Sequence, residues 1–168
     1  YAIRDGIIAH CGEMQQEIIR PRDEVIDLKH DFLRPGMYEP FSYEGCVVKM
    51  SDKIAYLARD IEDALRLHII TEQEVNSLRD ELNALGGYQF NAINNGSIVN
   101  YFIQDVIHHS SELGIGLSKE AFMKMRIMMK FNYQHIYEIK RVDIHNNYVK
   151  LIMNSIFEFL YDYYQSPS

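Results

Sequence analysis

An all-α fold is predicted by three features of the 168 residues. Apolar side chains recur at three- and four-residue steps in the long segments, capping residues and breakers punctuate those segments, and no run alternates apolar and polar in the manner of a half-buried strand. With 47% hydrophobic residues, the chain has enough apolar material for one core. Residues 1–168 are read as a single helical region without internal repeats or low-complexity tracts.

The first helix is expected over residues 2–19, where Ile3, Ile7, Ile8, Cys11 and Met14 share a face and Pro21 follows. Its opening, "YAIRDGIIAHCGE", is helical in pattern from the start and lacks an initiator Met, so further chain is expected before it. Arg20 to Ser42, with Pro21, Pro35 and Pro40, reads as a long irregular connection, a class of loop that is often functional. An amphipathic helix then occupies "EGCVVKMSDKIAYLARDIEDALRL", residues 44–67. "TEQEVNSLRDEL" begins with Thr71 as N-cap and Glu74 three residues on, a capping box. "LGGYQFNAINNGS" is a turn-filled break, after which Ile98, Phe102, Val106 and Ile107 predict another helix. "GIGLSKE" separates it from a Met-rich helix capped by Ser118 and running through Met129 to Tyr137. A last helix carries Val149, Ile152, Met153, Ile156, Phe157 and Leu160.

Charge and composition exclude several functions. A net charge of −7 argues against strong nucleic-acid binding, whose affinity comes mainly from Lys and Arg displacing counterions. The apolar runs are too short for a membrane span and no signal peptide is legible. Cys11 and Cys46 form neither a disulfide framework nor a metal motif, which favours a cytoplasmic protein. "NALGGYQF" has the glycines of a phosphate loop without its Lys-Ser/Thr. His108-His109 and His135 lack the i,i+4 spacing of a zinc helix, and no elbow motif marks a Ser or Cys nucleophile. The cluster Met123, Met125, Met128 and Met129 reads as core filler or helix-packing surface.

The helix of residues 44–67 carries the chemistry. At 100° per residue Asp52, Tyr56, Arg59, Asp60 and Asp63 fall within one face, while Ile54, Ala58, Ile61 and Leu65 lie opposite and are expected in the core. Such an acidic stripe is most often a solvated face, its i,i+4 pairs adding a few tenths of a kcal/mol each. Tyr56 among the acids, and Lys53 beside Asp52, depart from that pattern. An anion, a flat ring and a cation on one surface suit a metal, a sugar and a phosphate.

"EGCVVKMSDKIAYLARDIEDAL" resembles the last signature segment of the deoxynucleoside triphosphate triphosphohydrolases of the HD-domain superfamily, the dGTPase-like proteins. Weaker likeness extends to "RDGIIAHCGE", "YFIQDVIHHSSE" and "MKMRIMMKFNYQHIY". The resemblance implies an HD-type helical domain represented by its C-terminal part, without the N-terminal helices. It implies a metal-dependent enzyme that converts a dNTP and water to deoxynucleoside and tripolyphosphate. Asp52 would be one ligand of a divalent metal, Mg or Mn. Lys53 would approach the triphosphate, Tyr56 would pack on the deoxyribose and Asp60 would accept from the 3′-hydroxyl. Tyr133, and less specifically Arg126, would shape the substrate site, with Lys124 and Lys130 competing for the arginine's role. A homo-oligomer is implied as well.

The family's metal-binding His and His-Asp pair are not found in this chain. His30-Asp31 is rejected as that pair because it precedes the signature helix within the connection. His10 stands where relatives carry His, although a lone His among apolar neighbours is more often a packing residue than a ligand. One carboxylate is a poor site for Mg²⁺ or Mn²⁺, so the chain alone is expected to be inactive or slow. The alternatives are a non-catalytic helical interaction or oligomerisation module and an HD phosphodiesterase, the latter leaving Tyr56 and Asp60 without a reason.

Overall fold

The computed structural model describes residues 1–12 and 16–165. Six α-helices and one π-turn account for most of it: α1 (Ala2–Ala9), α2 (Tyr43–Arg66), α3 (Glu72–Ala84), α4 (Asn95–His109), α5 (Lys119–Asn132), the π-turn (Tyr133–Tyr137) and α6 (Lys140–Gln165). Two-residue strands β1 (Ile18–Ile19) and β2 (Ile115–Gly116) pair antiparallel, Ile18 opposite Gly116 and Ile19 opposite Ile115. The all-α architecture fits an HD-type helical domain.

The core is built around α2. Its N-cap Ser42 accepts from the Gly45 N–H at 3.2 Å, and the helix runs 24 residues, about 36 Å at 1.5 Å per residue. Cys46, Met50, Ile54, Leu57, Ala58, Ile61 and Ala64 are buried along it. Leu65, predicted for the same face, is partly buried against the core. Helices α1, α4 and α5 pack on α2, and Ile98 and Phe102 of α4 and Met125 and Met128 of α5 join the core. Met129 is partly buried against it, while Met123 is exposed.

The caps form as predicted. The Thr71 and Glu74 backbone N–H groups each donate to the other's side chain, at 2.8 and 3.3 Å. The Ser118 hydroxyl accepts from Ala121 N–H at 3.1 Å. A further cap, not foreseen from the sequence, is Asn94, which accepts from Ser97 N–H at 2.9 Å at the start of α4.

Two predicted helices change course. The first ends at Ala9 rather than residue 19, because Gly12 adopts φ +95°, a left-handed conformation in which an α-helix does not continue. The Gly36 N–H then donates to the Cys11 carbonyl at 3.1 Å, tying the connection to that turn. Met14, placed on this helix by its spacing, lies outside the described residues. The Met-rich helix is α-helical only to Asn132 and finishes in the π-turn, where Glu138 N–H reaches back five residues to the Tyr133 carbonyl at 3.0 Å.

Residues 20–42 contain no helix or strand and are held by buried charge. Asp5 is fully buried, pairs with Arg22 and accepts from Phe41 N–H at 2.7 Å. Lys49, also fully buried, donates to the Ala9 carbonyl at 3.2 Å and lies 3.5 Å from Glu39. Helix α6 is different from all the others: none of its residues is buried.

Candidate functional site

The exposed side of α2 faces the end of α5 and the π-turn. Between them lies a cavity of about 220 Å³ lined by Lys53, Tyr56, Leu57, Met129, Asn132, Tyr133 and Tyr137. Three of the predicted residues, Lys53, Tyr56 and Tyr133, therefore meet in one place although Tyr133 is 77 positions from Tyr56 in sequence. Lys53 is buried at 8% exposure, and Tyr56 and Tyr133 remain open to solvent on one side.

Asp52 and Asp60 flank this cavity through tyrosine hydroxyls. The Tyr56 hydroxyl donates to Asp52 Oδ2 at 2.6 Å, one helical turn apart. The Tyr137 hydroxyl donates to Asp60 Oδ2 from the π-turn. Burial first, and then the Asp60 carboxylate, push the Tyr137 phenol well above its ordinary value. It therefore stays protonated and serves as a donor throughout the neutral range. Its ring meets that of Tyr133 edge to face, centroids 5.3 Å apart.

Asn132 forms the inner wall. Its Nδ2 donates to the Leu57 carbonyl at 3.0 Å, which fixes the orientation of the amide. Its Oδ1 is buried with no hydrogen-bond partner among the described residues. A buried acceptor left in that state costs about 1–3 kcal/mol. Asn132, Leu57 and Tyr137 were not picked out from sequence, and Met129 only as core filler or helix-packing surface. The signal available for Tyr137 was its four-residue spacing from Tyr133, which is ambiguous without the π-turn.

Arg126 lies elsewhere. It is exposed, sits 5.9 Å from the Phe122 ring centroid, and lines a neighbouring hollow with Met123, Met129, Lys130, Tyr133 and Gln134. Tyr133 borders both spaces. Lys124, weighed as a competitor, is fully buried and donates to the Gly86 and Tyr88 carbonyls at 2.9 and 2.6 Å. Its ammonium is committed to structure, whereas Lys130 shares the hollow with Arg126.

Arg59 pairs with Asp63 at 3.1 Å on the exposed face, so that end of the stripe is a solvated ion pair. His10 caps α1, its Nδ1 2.8 Å from the Ile7 carbonyl. His30 and Asp27 form an exposed pair at 2.7 Å, and His108 and His109 each contact a carbonyl of their own helix. Among the described residues, no group of three His, Cys, Asp or Glu side chains is placed to hold a metal ion. Divalent Mg and Mn want several oxygen or nitrogen ligands, so the donors described here do not fit a metal by themselves.

These elements define an all-α protein with a tyrosine-lined cavity against its central helix. Comparison with known proteins gives the relationship. Curated relatives all named "Deoxyguanosinetriphosphate triphosphohydrolase-like protein" include that of Clostridium tetani (strain Massachusetts / E88), 26% identical over 163 residues, covering 94% of this chain and 39% of the relative. That of Clostridium perfringens (strain SM101 / Type A) is 30% identical over 72% of this chain and 35% of the relative. That of Desulfatibacillum aliphaticivorans is 32% identical over 73% and 33%. No family profile matches the chain, and no solved structure does. The chain is a homologue of the deoxyguanosinetriphosphate triphosphohydrolase-like proteins. It spans between a third and two fifths of the length of these relatives.

Proposed function

We propose that this chain is part of a metal-dependent deoxynucleoside triphosphate triphosphohydrolase and contributes its nucleotide-binding wall. The observation that carries the reading is the cavity that gathers Lys53, Tyr56 and Tyr133 between Asp52 and Asp60. In this reading the Lys53 ammonium offsets the charge of the triphosphate. Tyr56 packs on the deoxyribose where a 2′-hydroxyl would intrude, and Asp60 accepts a hydrogen bond from the 3′-hydroxyl. Tyr133 completes the sugar and base wall, and Arg126 lies on the outer side of it. Asp52 offers one carboxylate to Mg or Mn, with the remaining ligands supplied from outside the described residues. The relatives' name supports dGTP as the first substrate to test.

The reading predicts that dGTP raises the melting temperature of the protein and that Tyr56→Ala and Asp60→Ala remove the shift. No shift with any dNTP sinks it. For turnover, incubation with each dNTP and Mn²⁺ is expected to release little tripolyphosphate from this chain. Turnover at an ordinary enzymatic rate that Asp52→Ala abolishes would show that a working metal site exists within these residues.

A second role is favoured by α6. Its apolar face, with Val149, Ile152, Ile156 and Leu160, is exposed, and burial against another copy would make the protein a homo-oligomer. A purely oligomerising helical module shares that surface and lacks the nucleotide response. In this reading the protein is cytoplasmic, and its net charge of −7 disfavours strong nucleic-acid binding; among the described residues no helix is long and apolar enough to cross a membrane.

A further inference from the structure

We propose that Tyr137 is a specificity-determining positioning residue that presets Asp60 for a sugar hydroxyl, an inference that rests on the reading of Asp60 given above. Four observations converge on it. The Tyr137 hydroxyl occupies one carboxylate oxygen of Asp60, Oδ2, leaving Oδ1 to receive a second donor. A carboxylate side chain on an open helix face otherwise samples several rotamers, and holding it in one removes that loss of freedom from the binding step. The phenol is held in its protonated form by burial and by Asp60 itself, so the contact persists wherever nucleotide is bound at neutral pH. The ring lines the same cavity as Lys53 and Tyr56, so the contact is made at the site rather than behind it.

The fourth observation is how the residue comes to be there. The π-turn widens the backbone between Tyr133 and Tyr137, a rare device that recurs at functional sites. Here it sets two tyrosines edge to face on one wall, Tyr133 on the cavity and Tyr137 reaching across to α2. On the far side Asn132, anchored to the Leu57 carbonyl, holds the start of that turn against α2. A continuous α-helix would offer no reason for this wider turn.

Affinity of the protein for dGTP and for 2′,3′-dideoxy-GTP, each with Mn²⁺, separates a positioning role from packing. Tyr137→Phe keeps the ring and removes the hydroxyl. It is expected to weaken dGTP binding roughly threefold to tenfold, the scale of one ordinary net hydrogen bond, and to leave the dideoxy nucleotide unchanged. Equal weakening of both nucleotides, or of neither, overturns the proposal and leaves Tyr137 as a packing residue. Should the unsubstituted protein bind both nucleotides equally well, or bind neither, the assignment of Asp60 to a sugar hydroxyl fails first and this inference falls with it. Melting of Tyr137→Phe without nucleotide, expected within a few degrees of the unsubstituted protein, keeps loss of fold apart from loss of recognition.

Discussion

Lys124 shows how much a single side chain can carry in this protein. Its ammonium has no exposure, donates to two carbonyls of the segment after α3, pairs with Glu120 at 2.8 Å and lies over the Phe90 and Tyr101 rings. Lys124→Met keeps the stem and deletes the charge, leaving the Gly86 and Tyr88 carbonyls without this donor and Glu120 without its cation. Unfolding by urea should show a loss of about 2 kcal/mol or more; a neutral result would mean that water replaces the ammonium. The two cysteines make a contrasting pair. Burial, foremost, pushes the Cys46 thiol up to about 12, while Cys11 is exposed. Iodoacetamide at pH 8 should label Cys11 alone in the native protein and both residues in denaturant, read by peptide mass.

At the scale of elements, the approach of α1 and the preceding loop to α2 is set by glycine. A Cβ built on Gly45 would lie 2.7 Å from the Cβ of Pro40, too close for a rigid ring to yield cheaply. Helix propensity would favour Gly45→Ala by about 1 kcal/mol, whereas overpacking costs roughly 1–3 kcal/mol. The clash is expected to win, so Gly45→Ala should lower the melting temperature; a rise would show that Pro40 moves freely. The capping box of α3 has a pH signature. Hydrogen bonds from Thr71, side chain first and then backbone, with His135 adding to them, hold Glu74 below its ordinary value of 4.5. A carboxyl depressed in the folded state adds stability above that ordinary value and loses it as the pH falls through the lower folded one. Glu74→Gln should therefore cost stability at pH 7 and progressively less below about pH 4.5. An equal deficit at pH 7 and pH 3 would contradict the assignment. The same glutamate contacts His135 at 3.1 Å, tying α3 to the π-turn that carries Tyr133 and Tyr137.

The whole molecule divides into a packed body around α2 and the long, uncovered α6. Val142, Val149, Ile156 and Tyr163 repeat every seven residues along α6, with Ile152 and Phe159 between them, a spacing suited to helix pairing. Lys140, Arg141 and Lys150, with Asp143 among them, lie in its first half, and Glu158 and Asp162 in its second, so the first half is net basic and the second acidic. That distribution opposes the helix dipole but suits antiparallel contact with a second copy. Sedimentation of the protein should reveal a concentration-dependent oligomer that Ile156→Glu dissociates. A monomer at every concentration would assign the face to other protein partners or to further chain.

The sequence by itself determined the helical class, the caps at Ser118 and Thr71, the buried face of α2 and, through one signature segment, the family. These rest on local period and local chemistry, which a few neighbouring residues suffice to specify. Tertiary structure alone decided where α1 stops, because Gly12 turns left-handed where the distant Gly36 docks on Cys11. It also decided which basic residue of α5 is spent on the core, and that α5 ends in a π-turn that swings Tyr137 onto Asp60. Each of these depends on partners far apart in the chain, whose contacts no spacing rule encodes.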